Sequence, residues 1–148
     1  MKAVLRFMAL ILLTATASRV CAEEVESSKN FGEYTVHYST FNSLFIPAEI
    51  AAVHKLVRAK DQTLINIAVQ RSADGKSVPA EVTGSAKNLL QQVKTIQFKS
   101  IEEPDAIYYL GSLRHSNEEV FHLEITIVPE GTSDPLKLRL SRKLYTEP

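Results

Sequence analysis

Phe121-His122-Leu123-Glu124-Ile125-Thr126-Ile127 alternates apolar and polar side chains without a break, and Leu136-Lys137-Leu138-Arg139-Leu140-Ser141 repeats the pattern after a loop over 129–135. A period of two puts Phe121, Leu123, Ile125 and Ile127 on one face and His122, Glu124 and Thr126 on the other, the signature of a half-buried strand. Upstream, Ala106-Ile107-Tyr108-Tyr109-Leu110-Gly111-Ser112-Leu113-Arg114 is apolar on both faces and predicts a central strand. Residues 92–101 predict another, anchored by Ile96 and Phe98, with a turn over 102–105. Residues 64–70 carry Ile65, Ile67 and Val69 on one face. Asp74-Gly75 then predicts a tight hairpin into a return strand over 78–85. The first strand is expected over 32–41, where Tyr34, Val36 and Tyr38 alternate with polar residues. Only Pro47-Ala48-Glu49-Ile50-Ala51-Ala52-Val53 reads as a short helix, with proline at its first position.

About seven strands at roughly 10 to 14 residue spacing, with no alternating helices, predict an all-β antiparallel sandwich of immunoglobulin or fibronectin type. It would lack the inter-sheet disulfide and core tryptophan, because the chain has one cysteine and no tryptophan. A small β-barrel is the alternative fold.

The chain has 148 residues, 45% of them hydrophobic and 23% charged, which fits one globular domain. Lys2 and Arg6 precede an apolar run over 7–13 that is too short to span a bilayer. This is the pattern of a secretory signal peptide over 1–22. Val20-Cys21-Ala22 places cleavage before Glu23, in preference to cleavage after Ala17. A flexible, acidic lead-in is expected over 23–30, and the sandwich over 31–148. Acylation at Cys21 would want a small residue before the cysteine, where Val20 stands. Loss of Lys2, Arg6 and Arg19 turns a neutral chain into a domain of about −3, which disfavours nucleic acid and anionic membranes as partners. No stable membrane insertion is expected after cleavage.

The five glycines are isolated, so no phosphate-cradling loop exists, and no Gly-x-Ser-x-Gly elbow occurs. Ser85 and Lys87 share a strand face but read as solvated residues. His122 and Glu124, with His37 on a neighbouring strand, are too few for a dedicated metal site. Glu102 with Glu103 and Glu118 with Glu119 read as turn acids, since neighbours on a strand face opposite ways. Tyr108 and Tyr109 should point to opposite faces.

Phe31-Gly32-Glu33-Tyr34-Thr35-Val36-His37-Tyr38, with Phe41-Asn42, Phe45-Ile46-Pro47-Ala48-Glu49-Ile50, Leu64-Ile65-Asn66-Ile67 and Ala106-Ile107-Tyr108-Tyr109, resembles a family of small exported proteobacterial proteins known only as a domain of unknown function. The resemblance implies a Gram-negative source, a periplasmic home and an antiparallel β-sandwich. It supplies no catalytic residues.

The expected function is that of a non-catalytic periplasmic module binding another envelope protein or peptide, without catalytic residues, metal or cofactor. Tyr34, His37, Tyr38 and Asn42 are the expected surface contributors, and the apolar stretch over 41–50 either caps the core or forms a contact loop. A small-molecule or lipid carrier is the alternative, and an enzyme ranks last.

Overall fold

The computed structural model describes residues 27–148. The expected leader, Cys21, both cleavage positions and 23–26 lie outside the described residues. Nine strands form two antiparallel sheets. One holds β1 (Ser28–Phe31), β2 (Tyr34–Asn42), β3 (Gln62–Arg71), β7 (Ala106–Arg114) and β6 (Phe98–Glu103), paired in the order β1-β2-β3-β7-β6. The other holds β5 (Val93–Ile96), β4 (Ala80–Asn88), β8 (Glu119–Pro129) and β9 (Leu136–Leu144), in the order β5-β4-β8-β9. The sheets stay separate and do not close into a barrel. A 3-10 turn (Ser43–Phe45) and the helix α1 (Ala48–Val53) occupy the long connection between β2 and β3, so the expected short helix is present.

Three expectations change. Ser28 to Asn30, expected in a flexible lead-in, belong to β1, whose register runs from Ser28↔His37 to Phe31↔Tyr34. The single strand expected over 92–101 is two strands in different sheets, broken at Gln97. These changes raise the count from about seven to nine. The Asp74-Gly75 turn exists, but β3 and β4 are not hairpin partners. They touch only near the turn, through a bridge at Gln70↔Ser77, before β4 crosses to the other sheet. A turn signal reports the local reversal; it does not report which sheet the next strand joins.

The inner faces carry the expected apolar residues. Val36, Ile65, Ile67, Val69, Phe121 and Ile125 are fully buried between the sheets. The Tyr109 hydroxyl, at the base of this core, accepts the Ala80 N–H at 2.7 Å and ties β7 to β4. Where the chain switches sheets, two glycines make room for one ring. A Cβ at Gly84 would come within 3.1 Å of Phe98, and one at Gly111 would meet Ile96 at 2.5 Å and Phe98 at 2.8 Å. Phe98 therefore lies over bare backbone from both layers.

A smaller apolar cluster sits outside the sandwich. By the alternation of their strands, Leu64 of β3 and Leu110 of β7 point away from the inner core, yet both are buried, as is Ala51 of α1. Lys99 Nζ of β6 donates to the Lys55 carbonyl at 2.8 Å, which places the end of α1 beside that sheet. The β2–β3 connection thus caps an outer patch of the five-stranded sheet.

The register also sorts the loops. The β1–β2 turn, the 72–79 connection, the β6–β7 turn and the β8–β9 loop lie at one end. The β2–β3 connection, the β4–β5 turn, the β7–β8 loop and the C-terminus lie at the other, where Lys94 Nζ donates to the Arg114 carbonyl and Glu147 N–H donates to the Lys60 carbonyl, joining the sheets.

Candidate functional site

The four-stranded sheet keeps one face in solvent, and its register assembles a polar surface from three strands. His122 on β8 stands between Lys87 on β4 and Ser141 on β9. One pair along, Glu124 stands between Ser85 and Arg139. These side chains, with Val93 of β5, line a shallow depression of about 590 Å³.

Its interior contacts are few and exposed. His122 Nδ1 lies 2.8 Å from Ser141 Oγ, and Arg139 Nε donates to Glu124 Oε2 at 3.2 Å. An ion pair this open to water contributes at most about 1 kcal/mol. The Lys87 side chain is exposed, and its ammonium has no hydrogen bond or ion pair to the described residues. Ser141 and His122 have nucleophile-to-base spacing, but no described residue bonds the other ring nitrogen to orient the imidazole. The surface offers hydroxyl, imidazole, ammonium and guanidinium groups to a polar ligand, beside β9. That strand pairs on one side only, with β8, and its other edge receives no backbone bond from the described residues.

The four expected surface residues do not form one surface. Even-numbered positions of β2 face the core, so Tyr38 is buried there and Tyr34 is packed partly against it. Asn42 is also buried. Its Oδ1 accepts the Leu44 N–H at 2.9 Å, starting the 3-10 turn, and its Nδ2 donates to the Lys60 carbonyl at 2.8 Å. Only His37 points outward, where Nε2 donates to Gln70 Oε1 at 3.0 Å. Two tyrosines on an alternating strand look amphipathic on either face, so the pattern alone does not place Tyr38. Asn42 is a structural cap, one of the commonest uses of a buried asparagine at a turn. The sequence did mark Ser85, Lys87, His122 and Glu124 as outward-facing. It carried no signal that Arg139 and Ser141 would lie beside them, because strand order fixes that.

Asn88 shapes the adjacent β4–β5 turn. Its Oδ1 accepts from Leu90 and Gln92, and its Nδ2 donates to Glu119 Oε1 at 3.0 Å. Burial pushes the Glu119 carboxyl up, but the Ser116 N–H and the Asn88 amide outweigh it and hold the group below the ordinary carboxylate range. Asn88→Ala strands two backbone donors and is expected to cost about 2 kcal/mol by thermal melting at pH 7. The depressed Glu119 pKa stabilises the fold above the unfolded carboxylate value and loses that contribution as pH falls through the folded one. The variant has less of it to lose, so its deficit should narrow below about pH 4. A deficit constant from pH 7 to pH 3 would show that the Asn88–Glu119 bond contributes nothing.

Residues 28–147 match the family model described as domain of unknown function DUF4426. The chain belongs to that family. A crystal structure of a DUF4426 family protein from Pseudomonas aeruginosa is similar with a TM-score of 0.75 and 32% identity, covering 82% of this chain and 95% of that one. Two structures of FetP from uropathogenic Escherichia coli share the fold more distantly. A copper-bound FetP variant aligns with a TM-score of 0.60 and 10% identity, covering 81% of this chain and 95% of that one. A FetP expressed in the periplasm aligns with a TM-score of 0.58 and 9% identity, covering 82% and 94%. At such identities the likeness is one of fold. None of the curated proteins matches this DUF4426 chain. Among its described residues, no three histidines, cysteines or acids group as a metal site.

Proposed function

We propose that this DUF4426 protein is an exported, periplasmic, non-catalytic module that binds a protein or peptide of the cell envelope along β9 and the adjoining depression. The observation that carries the reading is the unpaired edge of β9 beside a solvent-exposed polar floor, in which the Lys87 ammonium has no partner among the described residues and the His122–Ser141 and Arg139–Glu124 contacts are open to water. An unpaired edge takes a partner strand through backbone bonds, and neighbouring side chains then select its sequence. The leader pattern over 1–22 and the fold shared with FetP support the periplasmic address. The space between the sheets is filled by fully buried side chains such as Ile67, Phe121 and Ile125, which favours an external ligand over a carried one.

The test is in-cell photocrosslinking in the native envelope. A photoreactive side chain replacing Lys137, exposed on β9, should capture one saturable envelope protein. The same group replacing Thr35, on the outer face of the other sheet, should not. Equal capture from both positions, or from neither, would sink the assignment to β9.

A further inference from the structure

The two sheets are unequal: five described strands face four. Both begin on the side where the chain passes from β5 to β6. On the other side the Glu147 N–H bond to the Lys60 carbonyl and the recess shared by Thr40, Lys143 and Leu144 set β9 over β2. β1 lies one strand further out, and no described strand stands opposite it. Its inward residues are Lys29 and Phe31, which pair with Val36 and Tyr34. Phe31 is half-buried against the core, as are Leu136 and Leu140 of β9, and Lys29 stays exposed at the rim. A strand added to the unpaired edge of β9 would run beneath β1, and its inward side chains would meet this apolar surface.

Its outward side chains would meet positive charge. β9 carries Lys137, Arg139, Arg142 and Lys143 among its nine residues, and no acid. On the solvent face of the whole sheet stand Lys87, Lys137, Arg139 and Lys143 against Glu81 and Glu124, in a chain whose bases and acids are equal in number. Arg139 and Lys143 have acidic neighbours, Glu124 at 3.2 Å and Glu118 at 3.1 Å, but both pairs are open to water. Lys137 Nζ donates to the neutral Thr126 hydroxyl at 2.9 Å, and neither Lys137 nor Lys87 makes an ion pair with a described residue. Glu81, level with Val128, and the loop residues Glu130 and Asp134 lie past the Leu136 end of β9. The length of the edge itself is therefore cationic. A second copy fits it poorly: two β9 strands paired antiparallel about Leu140 would set Lys137 directly against Lys143 at two places.

We propose that the strand accepted by β9 is amphipathic, with aspartate or glutamate at alternate, solvent-facing positions and apolar residues between them facing Phe31, Leu136 and Leu140. The inference rests on the peptide-binding reading and adds its specificity. Backbone bonds along an edge are indifferent to sequence, and alternate side chains supply the choice. Opposite charges directly across two strands strengthen their pairing and like charges weaken it. The row of bases that turns away a second β9 thus favours an acidic strand.

The probe is a displayed library of random peptides long enough to span β9, selected on the protein in the form its host exports. Hydrogen exchange over 136–144 then locates each selected peptide. Peptides that slow exchange there should carry acids at every second position, and added salt should weaken their binding. Lys137→Gln/Arg139→Gln should bind them about tenfold more weakly, whereas Lys55→Gln/Lys76→Gln, which removes the same charge elsewhere, should bind as the parent does. Peptides that protect 136–144 without acid enrichment, or that bind the Lys137→Gln/Arg139→Gln variant unchanged, would overturn the acidic specificity and leave the edge reading standing. A selection yielding no peptide that protects 136–144 would sink both.

Discussion

Gly111→Val is expected to destabilise the protein by about 3 kcal/mol and lower its melting temperature by about 10 °C. Gly111 pairs with Ile65 on one side and Phe98 on the other, in the sheet interior. A Cβ there would collide with Ile96 Cγ2 at 2.5 Å and with the Phe98 ring at 2.8 Å, before the valine methyl groups are counted. Neither neighbour can retreat easily. Ile96 is buried, and Phe98 is held over Gly84 from the other layer. Close-packed interiors relieve such overlap by shifting backbone, which here would pull both sheets. Circular dichroism melting measures the effect. Phe98→Leu in the valine background should recover part of the loss by withdrawing the ring edge. A Gly111→Val protein melting within a degree or two of the parent would refute this packing.

Phe121→Ala is expected to cost about 3 to 5 kcal/mol in urea denaturation. Phe121 is the largest fully buried side chain, at the middle of the three-strand row Asn88–Phe121–Arg142. Removing the ring leaves a cavity between layers that β8, paired on both sides, cannot collapse to fill. It also removes the ring that Lys94 Nζ overlies at 5.3 Å. Phe45→Ala is the matched control. Its ring is largely in solvent, and its loss should leave stability within about 0.5 kcal/mol of the parent. Equal losses from the two substitutions would contradict the division between core and surface described above.

These two phenylalanines show what a sequence alone discloses. Phe121 lies in an uninterrupted alternating run, and its burial follows from the pattern. Residues 106–114, apolar on both faces, became β7, paired on both edges and covered on its outer face at Leu110. The sheet switch at Gln97 was illegible, because both halves of 92–101 read as strand and neither proline nor glycine marks the break. β1 carries no sequence signal: four residues, two of them charged or amide-bearing, give no periodicity, and pairing with β2 makes them a strand. The candidate site was half legible. Alternation put His122 and Glu124 outward, but strand order, which no local pattern encodes, brought Lys87 and Arg139 to their sides.

The switch at Gln97 gives the sandwich a spine. Along β5 and β6 a single stretch of chain belongs to both layers, so on that side they cannot part without breaking the strand's own pairing. Across the molecule, β1 and β9 end their sheets with no such continuous strand, and there the layers are joined by the Glu147 N–H to Lys60 carbonyl bond beside a small polar recess lined by Thr40 of β2 and Lys143 of β9. Thermal breathing should therefore open the sandwich like a book, widest at β9. A strand captured on that edge would act as a clasp, and the grip on a partner and the closure of the fold would become one equilibrium.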